Sequence, residues 1–253
     1  MFEIISDEAA DVSKKVRVKF LPFPILYKER ETRLSTKEIC ELLKRGEVLK
    51  TSQISVKTFF EAFKKVKNSA ICITISKKLS GTYQSALIAA RMSGKDIKVL
   101  DSGSASIGQG LLVEKAVELR EKGYEIEKAF EILNKYRERI KVYFTVKDLS
   151  YLKRSGRISN IFASLGNFLG INPIMELYLG DAKVLKIKRG YENAVMEIAN
   201  IVKRKNPEKA ISGYICSKNL GEKIALTLKT KAVEVCPALA AHVGPAVVVG
   251  VVE

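Results

Sequence analysis

Short apolar runs and longer segments with helical periodicity alternate along the first part of the chain. Between Phe2 and about Val146 the short runs predict strands, and segments with apolar residues every three or four positions predict amphipathic helices. Ser35 and Glu38 have the spacing of a capping box, which marks the start of one of these helices. This alternation is typical of a layered, doubly wound α/β domain with a largely parallel sheet.

The pattern changes near residue 150. A basic, glycine-containing stretch at positions 152–159 predicts a loop, and mixed strand and helix signals follow it. The last apolar run, from Ala246 to Val252, predicts a final strand. We therefore expect one domain over residues 1–150 and a second, smaller domain, a sheet covered by helices, over residues 151–253.

The composition is that of a folded, core-forming protein. The 253-residue chain is 47% hydrophobic, but it contains no run of about 18 apolar residues. Its first residues lack the basic region and the small-residue cleavage site of a signal peptide. Four cysteines lie far apart without a Cys-x-x-Cys pair, which predicts reduced thiols rather than a zinc site or a disulfide framework. We therefore expect a cytoplasmic protein without a transmembrane segment.

The formal net charge is +16, from 44 Lys and Arg residues against 28 Asp and Glu residues. A charge of this size is compatible with binding to nucleic acid or to an acidic protein. The basic residues are, however, spread over nearly every predicted helix and form no basic arm or aromatic RNA-binding signature. We therefore expect no specific nucleic acid partner, and a basic regulatory or nucleic-acid-binding protein is the alternative hypothesis.

The segment from Ile71 to Ala86 has the pattern of an anion-binding site. An apolar run predicts a buried strand, and Ser80, Gly81 and Thr82 then open a predicted helix. The first N–H groups of a helix lack internal partners and point with the helix dipole towards an acceptor, which favours a carboxylate or a phosphate. Ser80 also fits the ordinary role of a helix N-cap, so the motif alone leaves both roles open.

Several common catalytic motifs are missing from the sequence. There is no G-x-x-x-x-G-K-[ST] motif, and after Gly108 and Gly110 the third dinucleotide-binding glycine is replaced by Val113. The chain has a single histidine, His242, and no G-x-S-x-G motif surrounds Ser80. An acyl or phosphoryl enzyme that uses Ser80 and His242 is therefore only a third hypothesis, and we expect neither a cofactor nor a metal site.

Five short motifs, in order along nearly the whole chain, resemble the DegV family of bacterial fatty acid-binding proteins. They are Thr51-Ser52-Gln53, Leu79-Ser80-Gly81-Thr82-Tyr83-Gln84-Ser85-Ala86, Asp101-Ser102, Tyr151-Leu152-Lys153-Arg154-Ser155-Gly156-Arg157-Ile158 and His242-Val243-Gly244-Pro245. The resemblance implies an N-terminal three-layer α/β/α domain with a parallel sheet and a C-terminal two-layer α/β domain with a mixed sheet. It also implies that a long-chain fatty acid binds between the domains.

The resemblance further implies a lipid-binding protein that is not itself an enzyme. Its role would be to present the acyl carboxylate to a separate fatty acid kinase, its protein partner, for acyl-phosphate formation. Residues that match the family motifs would hold the carboxylate: Thr51, Ser80, Gly81, Thr82 and His242. Arg157 would lie towards the kinase docking side and face the phosphate, although an exposed arginine that caps a loop fits the same sequence.

The acyl tail needs apolar surface, and the segment after Ser159 offers it. The candidate tail-binding residues are Phe162, Leu165, Phe168 and Leu169. Core packing explains these four side chains equally well, so the sequence leaves both roles open.

Three positions depart from the usual family pattern. Glu8 stands where the family has a hydroxyl residue, Lys77 where a second serine is common, and Ala246 where a glycine usually follows the Gly-Pro pair. A lysine near an anion site would strengthen the binding of a carboxylate or a phosphate. These departures leave the ligand preference open, including an acyl phosphate or another anionic lipid.

Overall fold

Three sheets organise residues 1–157, 161 and 170–253, which are the residues that the computed structural model describes. The strands in chain order are β1 (Glu3–Asp7), β2 (Lys19–Leu21), β3 (Ile25–Tyr27), β4 (Arg30–Thr32), β5 (Leu49–Thr51), β6 (Ser69–Thr74), β7 (Asp96–Asp101), β8 (Ile140–Val146), β9 (Ile171–Tyr178), β10 (Asp181–Arg189), β11 (Lys209–Ile215), β12 (Ala232–Glu234) and β13 (Ala246–Val252). The helices are α1 (Thr36–Lys44), α2 (Val56–Lys64), α3 (Thr82–Ser93), α4 (Ile107–Glu121), α5 (Ile126–Tyr136), α6 (Leu149–Ser155), α7 (Tyr191–Lys205), α8 (Lys218–Leu228) and α9 (Pro237–Val243).

The first sheet has the strand order β2-β1-β6-β7, and its neighbouring strands are all parallel. Its central strands carry continuous buried runs, because helices cover a parallel sheet on both faces. Helices α2 and α3 pack together beside β6 and β7, and α4 and α5 also contact this sheet. The predicted N-terminal α/β/α layer with a parallel sheet is therefore confirmed.

The second sheet has the strand order β10-β9-β8-β13-β11-β12. Its neighbouring strands are antiparallel except for the parallel pair β11 and β12, so the predicted mixed C-terminal sheet is also confirmed. Alternate residues of β8 and β13, such as Tyr143, Val247 and Val249, pack with residues of α7 and α8 on one face. The opposite face is directed towards α4 and the first sheet.

Strand β8 belongs to this second sheet although the predicted first domain extends to residue 150. It pairs with β13 on one side and with β9 on the other. The boundary between domains 1–150 and 151–253 remains a prediction, and the pairing of β8 favours an earlier boundary.

Helix α4 lies between the two sheets and is buried along most of its length. Glycines allow this close packing: a Cβ atom at Gly110 would lie 1.9 Å from the backbone oxygen of Asp11, and one at Gly250 would lie 2.7 Å from Ile107 Cγ2. Gly108 and Gly110 are helical residues at a packing contact rather than part of a dinucleotide loop.

A short third sheet, with the order β4-β3-β5, was not predicted. Each of its strands has three residues, too few for an alternating apolar pattern to emerge. The predicted capping box is present, since Ser35 Oγ accepts from the Glu38 N–H and Glu38 accepts from the Ser35 N–H. The third sheet ends at Thr51, the last residue of β5, and α1 precedes this strand in the chain.

The prediction of four reduced cysteines is wrong for two of them. Cys40 on α1 and Cys216, just after β11, form a disulfide with a Cα–Cα distance of 5.6 Å. The two residues are 176 positions apart, so tertiary packing rather than sequence spacing brings them together. Cys72 and Cys236 are free.

Candidate functional site

The site lies where β5, the turn after β6 and helix α9 meet. Thr51 is the last residue of β5, Ser80 precedes α3, and His242 lies in the last turn of α9. The Thr51 hydroxyl oxygen is 2.5 Å from His242 Nε2, a hydrogen bond across 191 positions of sequence. His242 is helical, because Pro237 occupies the first turn of a helix that continues to Val243.

A largely apolar cavity opens beside this hydrogen bond. Its volume is about 140 Å³. The polar residues among the described lining are Thr51, Ser52, Gln53, Ser80, Ser106, Ser155, Arg157 and His242. The apolar ones are Phe23, Ile75, Leu79, Ala105, Val142, Phe144, Leu152, Leu177, Ala182, Ile215, Val235, Ala238, Leu239, Val243, Ala246 and Val248.

The period of the second sheet explains one wall of the cavity. Val142 and Phe144 are two residues apart on β8, as are Ala246 and Val248 on β13, so each pair faces the same side of its strand. Phe144 and Val248 are also partners in register. Ala246, the departure from the family glycine, therefore contributes a methyl group to the cavity wall.

The three residues predicted at the start of α3 have different positions. Ser80 lines the cavity and its hydroxyl lies 2.9 Å from that of Thr82, whereas Gly81 occupies the N-cap position. Thr82 is fully buried, and its hydroxyl accepts a hydrogen bond from the Ile54 N–H. A Cβ atom at Gly81 would lie 1.9 Å from Gln53 Oε1. Ser80 is therefore part of the described cavity lining. Gly81 and Thr82 are not in that lining and instead contact the neighbouring residues Gln53 and Ile54.

Arg157 lies at an exposed position immediately after α6 and lines the same cavity. The preceding Gly156 ends the helix with a φ of +66°, a conformation that glycine adopts readily. Arg157 Nη1 donates a hydrogen bond to the backbone oxygen of Leu79, next to Ser80. This contact places a permanent positive charge near the polar side of the cavity.

His242 is held in its neutral form by its surroundings. Burial, with a smaller contribution from the positive charge of Arg157, lowers the pKa of His242 to about 4. At neutral pH the imidazole therefore offers hydrogen bonds without a charge. Arg157 is then the charged side chain among the described cavity-lining residues, and Thr51, Ser80 and His242 are neutral polar groups.

Glu8 and Lys77, the other two positions that depart from the family pattern, are not among the polar residues that line the cavity. Glu8 accepts a hydrogen bond from the backbone N–H of Phe23, a cavity-lining residue. Lys77 is exposed, with its ammonium 4.0 Å from a carboxylate oxygen of Asp101, and it is absent from the described cavity lining. The expected contribution of Lys77 to an anion site is therefore not seen in this arrangement.

Two buried carboxyl groups form hydrogen bonds to segments that carry cavity-lining residues. Asp7 accepts hydrogen bonds from the Ile75 N–H and from the Gln109 side chain, and Asp11 accepts from the Cys236 N–H just before α9. Burial raises the pKa of both Asp7 and Asp11 to about 7. Asp11 thus connects the first sheet to the helix that carries His242.

Most of the cavity wall was not predicted from the sequence. The four residues predicted to bind the acyl tail, Phe162, Leu165, Phe168 and Leu169, lie outside the described residues. Much of the described wall comes instead from residues of β8 and β13 that have the sequence pattern of ordinary core positions. Only the pairing of the strands shows which of their faces borders the cavity.

Comparison with known proteins gives the class of protein that this fold and cavity define. The DegV family model, described as "Uncharacterised protein, DegV family", matches residues 1–252, and the chain belongs to this family. A DegV domain-containing protein from Clostridium perfringens is 35% identical over 200 residues, covering 72% of this chain and 68% of the relative. One from Clostridium acetobutylicum is 29% identical over 267 residues, covering 96% and 95%.

Solved structures share the whole architecture. A stearic acid-binding protein from Eubacterium ventriosum has a TM-score of 0.88 and 25% identity, covering 100% of this chain and 98% of that protein. A fatty acid-binding DegV protein from Thermus thermophilus has a TM-score of 0.86 and 25% identity, covering 100% and 99%. The two-domain fold is therefore that of fatty acid-binding DegV proteins.

The described residues contain neither a candidate metal site nor a helix that could span a membrane. No group of three or more His, Cys, Asp or Glu side chains in residues 1–157, 161 and 170–253 is arranged to hold a metal ion. Within the same part of the chain, every helix is too short or too polar to cross a membrane.

Proposed function

We propose that this protein binds a long-chain fatty acid in the cavity and presents its carboxylate to a separate fatty acid kinase. The observation that carries the proposal is the composition of the cavity: most of its described lining is apolar, with the second sheet as one wall, and its polar lining includes the bonded pair Thr51 and His242 and, beside Ser80, Arg157. A fatty acid has the same division between an apolar tail and an anionic head. The fatty acids bound by the structural relatives support this ligand class.

Tail burial supplies most of the binding free energy in this account. For a chain of about sixteen carbons, at about 0.8 kcal/mol per methylene, burial contributes on the order of 12 kcal/mol before the costs of association and ordering. After their mutual hydrogen bond, Thr51 and the neutral His242 keep one proton to donate to the carboxylate, and Ser80 offers another. Each of these hydrogen bonds adds far less, about 1 kcal/mol. These residues therefore chiefly fix the orientation of the head group.

The location of the head group supports presentation to a partner. Ser52, Gln53 and Arg157 line the cavity and are exposed, so the polar side of the cavity reaches solvent. We propose that the carboxylate lies among Thr51, Ser80 and His242, within reach of an ATP-dependent kinase that docks over Arg157. Gly81 and Thr82, the other predicted carboxylate residues, keep Ser80 and the Gln53 segment in position.

The described hydrogen bonds give no support to a serine-dependent enzyme. The Ser80 hydroxyl is paired with Thr82, and His242 Nε2 is paired with Thr51. A serine nucleophile needs a base within hydrogen-bonding distance. The alternative of a nucleic-acid-binding protein rests on net charge, and several lysines contributing to that charge are paired with acids, as Lys186 and Lys188 are with Glu197.

Native mass spectrometry of the purified protein, followed by solvent extraction and identification of lipids, tests the ligand. One fatty acid per chain supports the proposal and identifies the acyl group. A nucleotide or no small molecule, together with no uptake of added fatty acid, contradicts it. Adding a fatty acid kinase and ATP to the fatty acid-loaded protein tests presentation of the carboxylate. We expect acyl phosphate as the product, and its absence with every fatty acid kinase tried would contradict presentation.

A further inference from the structure

Helix α1 is joined to the second sheet along one of its faces. Thr36 and Cys40 are four residues apart, so both point to the same side of the helix. The Thr36 hydroxyl donates a hydrogen bond of 2.8 Å to the backbone oxygen of Val235, which lines the cavity. One turn further along, Cys40 is covalently bonded to Cys216. The disulfide therefore strengthens a contact that polar interactions already make.

Both ends of this disulfide lie close along the chain to the cavity. Cys216 directly follows Ile215, whose side chain lines it. Cys40 lies in the helix that leads, through a turn at Gly46, to β5 and Thr51. Segment 36–51, called the wall segment below, thus brings Thr51 to the cavity lining. It is attached next to the second sheet through Cys40 and hydrogen-bonded to α9 through Thr51.

We propose that the Cys40–Cys216 disulfide is a redox-sensitive clasp that holds wall segment 36–51 against the second sheet, and that its reduction by a dithiol speeds exchange of the bound lipid. The lipid-exchange part rests on the fatty acid-binding function proposed above. A covalent crosslink between residues 176 positions apart restricts the opening motions available to the wall. Without it, weaker bonds such as those of Thr36 and Thr51 remain to hold the wall.

The chemistry requires an external dithiol such as dithiothreitol. Its thiolate attacks the sulfur of Cys216, the more exposed partner, so that a mixed disulfide forms and Cys40 leaves as a thiolate that takes up a proton. The second thiol of the reductant then displaces Cys216. The protein disulfide gains two electrons and two protons, and the reductant is oxidised to its own disulfide.

The two free cysteines are poorly suited to break this disulfide from within. Cys72 is completely buried, and burial raises the pKa of the Cys236 thiol well above its ordinary value. A protonated thiol is a weak nucleophile towards a disulfide. The Cys40–Cys216 pair is therefore expected to persist until an external thiol reaches it.

A ligand-independent measurement tests the clasp itself. Alkylation of the unreduced, denatured full-length protein should modify Cys72 and Cys236 and leave Cys40 and Cys216 protected. Hydrogen–deuterium exchange should then show residues 36–53 exchanging faster after dithiothreitol treatment. Four modified cysteines, or identical exchange before and after reduction, would overturn the proposal.

Lipid exchange is measured with a dansyl-labelled long-chain fatty acid released to phosphatidylcholine vesicles. We expect reduction to raise the release rate constant about tenfold, since losing a constraint on a bound state acts mainly on dissociation. The double variant Cys40→Ser/Cys216→Ser should release the probe at the fast rate with or without reductant. Cys236→Ser is the matched control and should keep the redox response.

The two proposals fail in different ways. Equal release rates from oxidised and reduced protein overturn the clasp and leave fatty acid binding intact. Absence of probe binding in both states contradicts the proposed function, while hydrogen–deuterium exchange still decides whether the disulfide holds the wall. Dithiothreitol acts on the natural chain, so the test does not depend on the folding of the serine variant.

Discussion

Thr51 and His242 form a 2.5 Å hydrogen bond that joins the end of a short edge strand to a helix near the carboxyl end of the chain. Both residues line the cavity, and burial keeps the histidine neutral at physiological pH. The pair therefore presents a fixed polar group to a ligand head without adding a charge. Its geometry gives the first prediction.

Replacing Thr51 with valine removes the hydroxyl and nearly preserves the shape of the side chain. We expect fatty acid affinity to fall about three- to tenfold, corresponding to the loss of a hydrogen bond of about 1 kcal/mol. Isothermal titration with delipidated protein measures this change. Thr58→Val, at an exposed position on α2, is the control and should leave the affinity unchanged; a loss of all binding in Thr51→Val would show that the hydroxyl does more than orient the head group.

Ser80→Ala separates orientation from retention of the lipid. Because tail burial dominates the affinity, we expect the variant to keep its fatty acid while phosphoryl transfer by the kinase slows by about tenfold or more. Lipid content by native mass spectrometry and acyl phosphate formation are measured on the same preparation. An equal loss of both would contradict this division of roles.

The single histidine makes the electrostatics of the site directly measurable. His242 has a pKa lowered to about 4 in the folded protein, so the unfolded chain binds the additional proton between pH 4 and 6.5. The contribution of His242 to the free energy of unfolding therefore rises with pH across that window, by about 3 kcal/mol, and is fully present above it. NMR titration of the imidazole should give a midpoint near 4. A midpoint above 6 would mean that the ring is hydrated or paired with an anion.

Asp7 has the opposite linkage. The pKa of Asp7 is raised from 3.8 to about 7, so the folded state keeps this proton to a higher pH than the unfolded chain does. The stability that Asp7 contributes therefore falls as pH rises through that range. Replacing Asp7 with asparagine removes the titration. Between pH 5 and 8 the stability of the variant relative to the natural chain should rise by about 2–3 kcal/mol.

Urea unfolding at several pH values measures this slope independently of any constant cost of the substitution. Asp96→Asn, at an exposed position, is the matched control for removal of a charge. A pH-independent difference between Asp7→Asn and the natural chain would show that Asp7 is ionised throughout, held by its three N–H donors from Ala9, Ile75 and Gln109.

Gly110→Ala tests the close packing of α4. Alanine normally stabilises a helix relative to glycine by about 0.5–1 kcal/mol, so the intrinsic preference favours the variant. The added Cβ atom would, however, lie 1.9 Å from the backbone oxygen of Asp11, which has no flexible end to move away. We expect destabilisation of about 2 kcal/mol or more in urea unfolding. Glu121→Ala, exposed on the same helix, should change little, and a more stable Gly110→Ala would show that α4 lies further from Asp11.

Local patterns in the sequence predicted the elements whose signals are local. The capping box of Ser35 and Glu38 and the apolar runs of β6 and β13 each appear within a few residues. Elements held by distant partners were harder to predict. Strands β3–β5 are only three residues long, and the helical position of His242 depends on packing of α9 against α1 and α6.

The polar part of the site was predictable from motifs, and its apolar part was not. Thr51, Ser80, Arg157 and His242 stood in recognisable motifs, and the structure places all four around one cavity. A residue such as Val142 looks the same in sequence whether it faces a helix or a ligand. The disulfide was hidden for a related reason, because neither Cys40 nor Cys216 has a cysteine nearby in sequence.

Occupation of the cavity by a fatty acid can be measured directly. Delipidated protein takes up an eighteen-carbon fatty acid, detected by native mass spectrometry, and the natural chain is compared with Ala246→Phe, which fills the cavity from β13. Leu226→Phe, on the exposed surface of α8, is the control. We predict one fatty acid per chain in the natural protein and the control, and a loss of uptake in Ala246→Phe with its fold retained by circular dichroism. No uptake by the natural chain, or undiminished uptake by Ala246→Phe, would mean that this cavity does not hold the fatty acid.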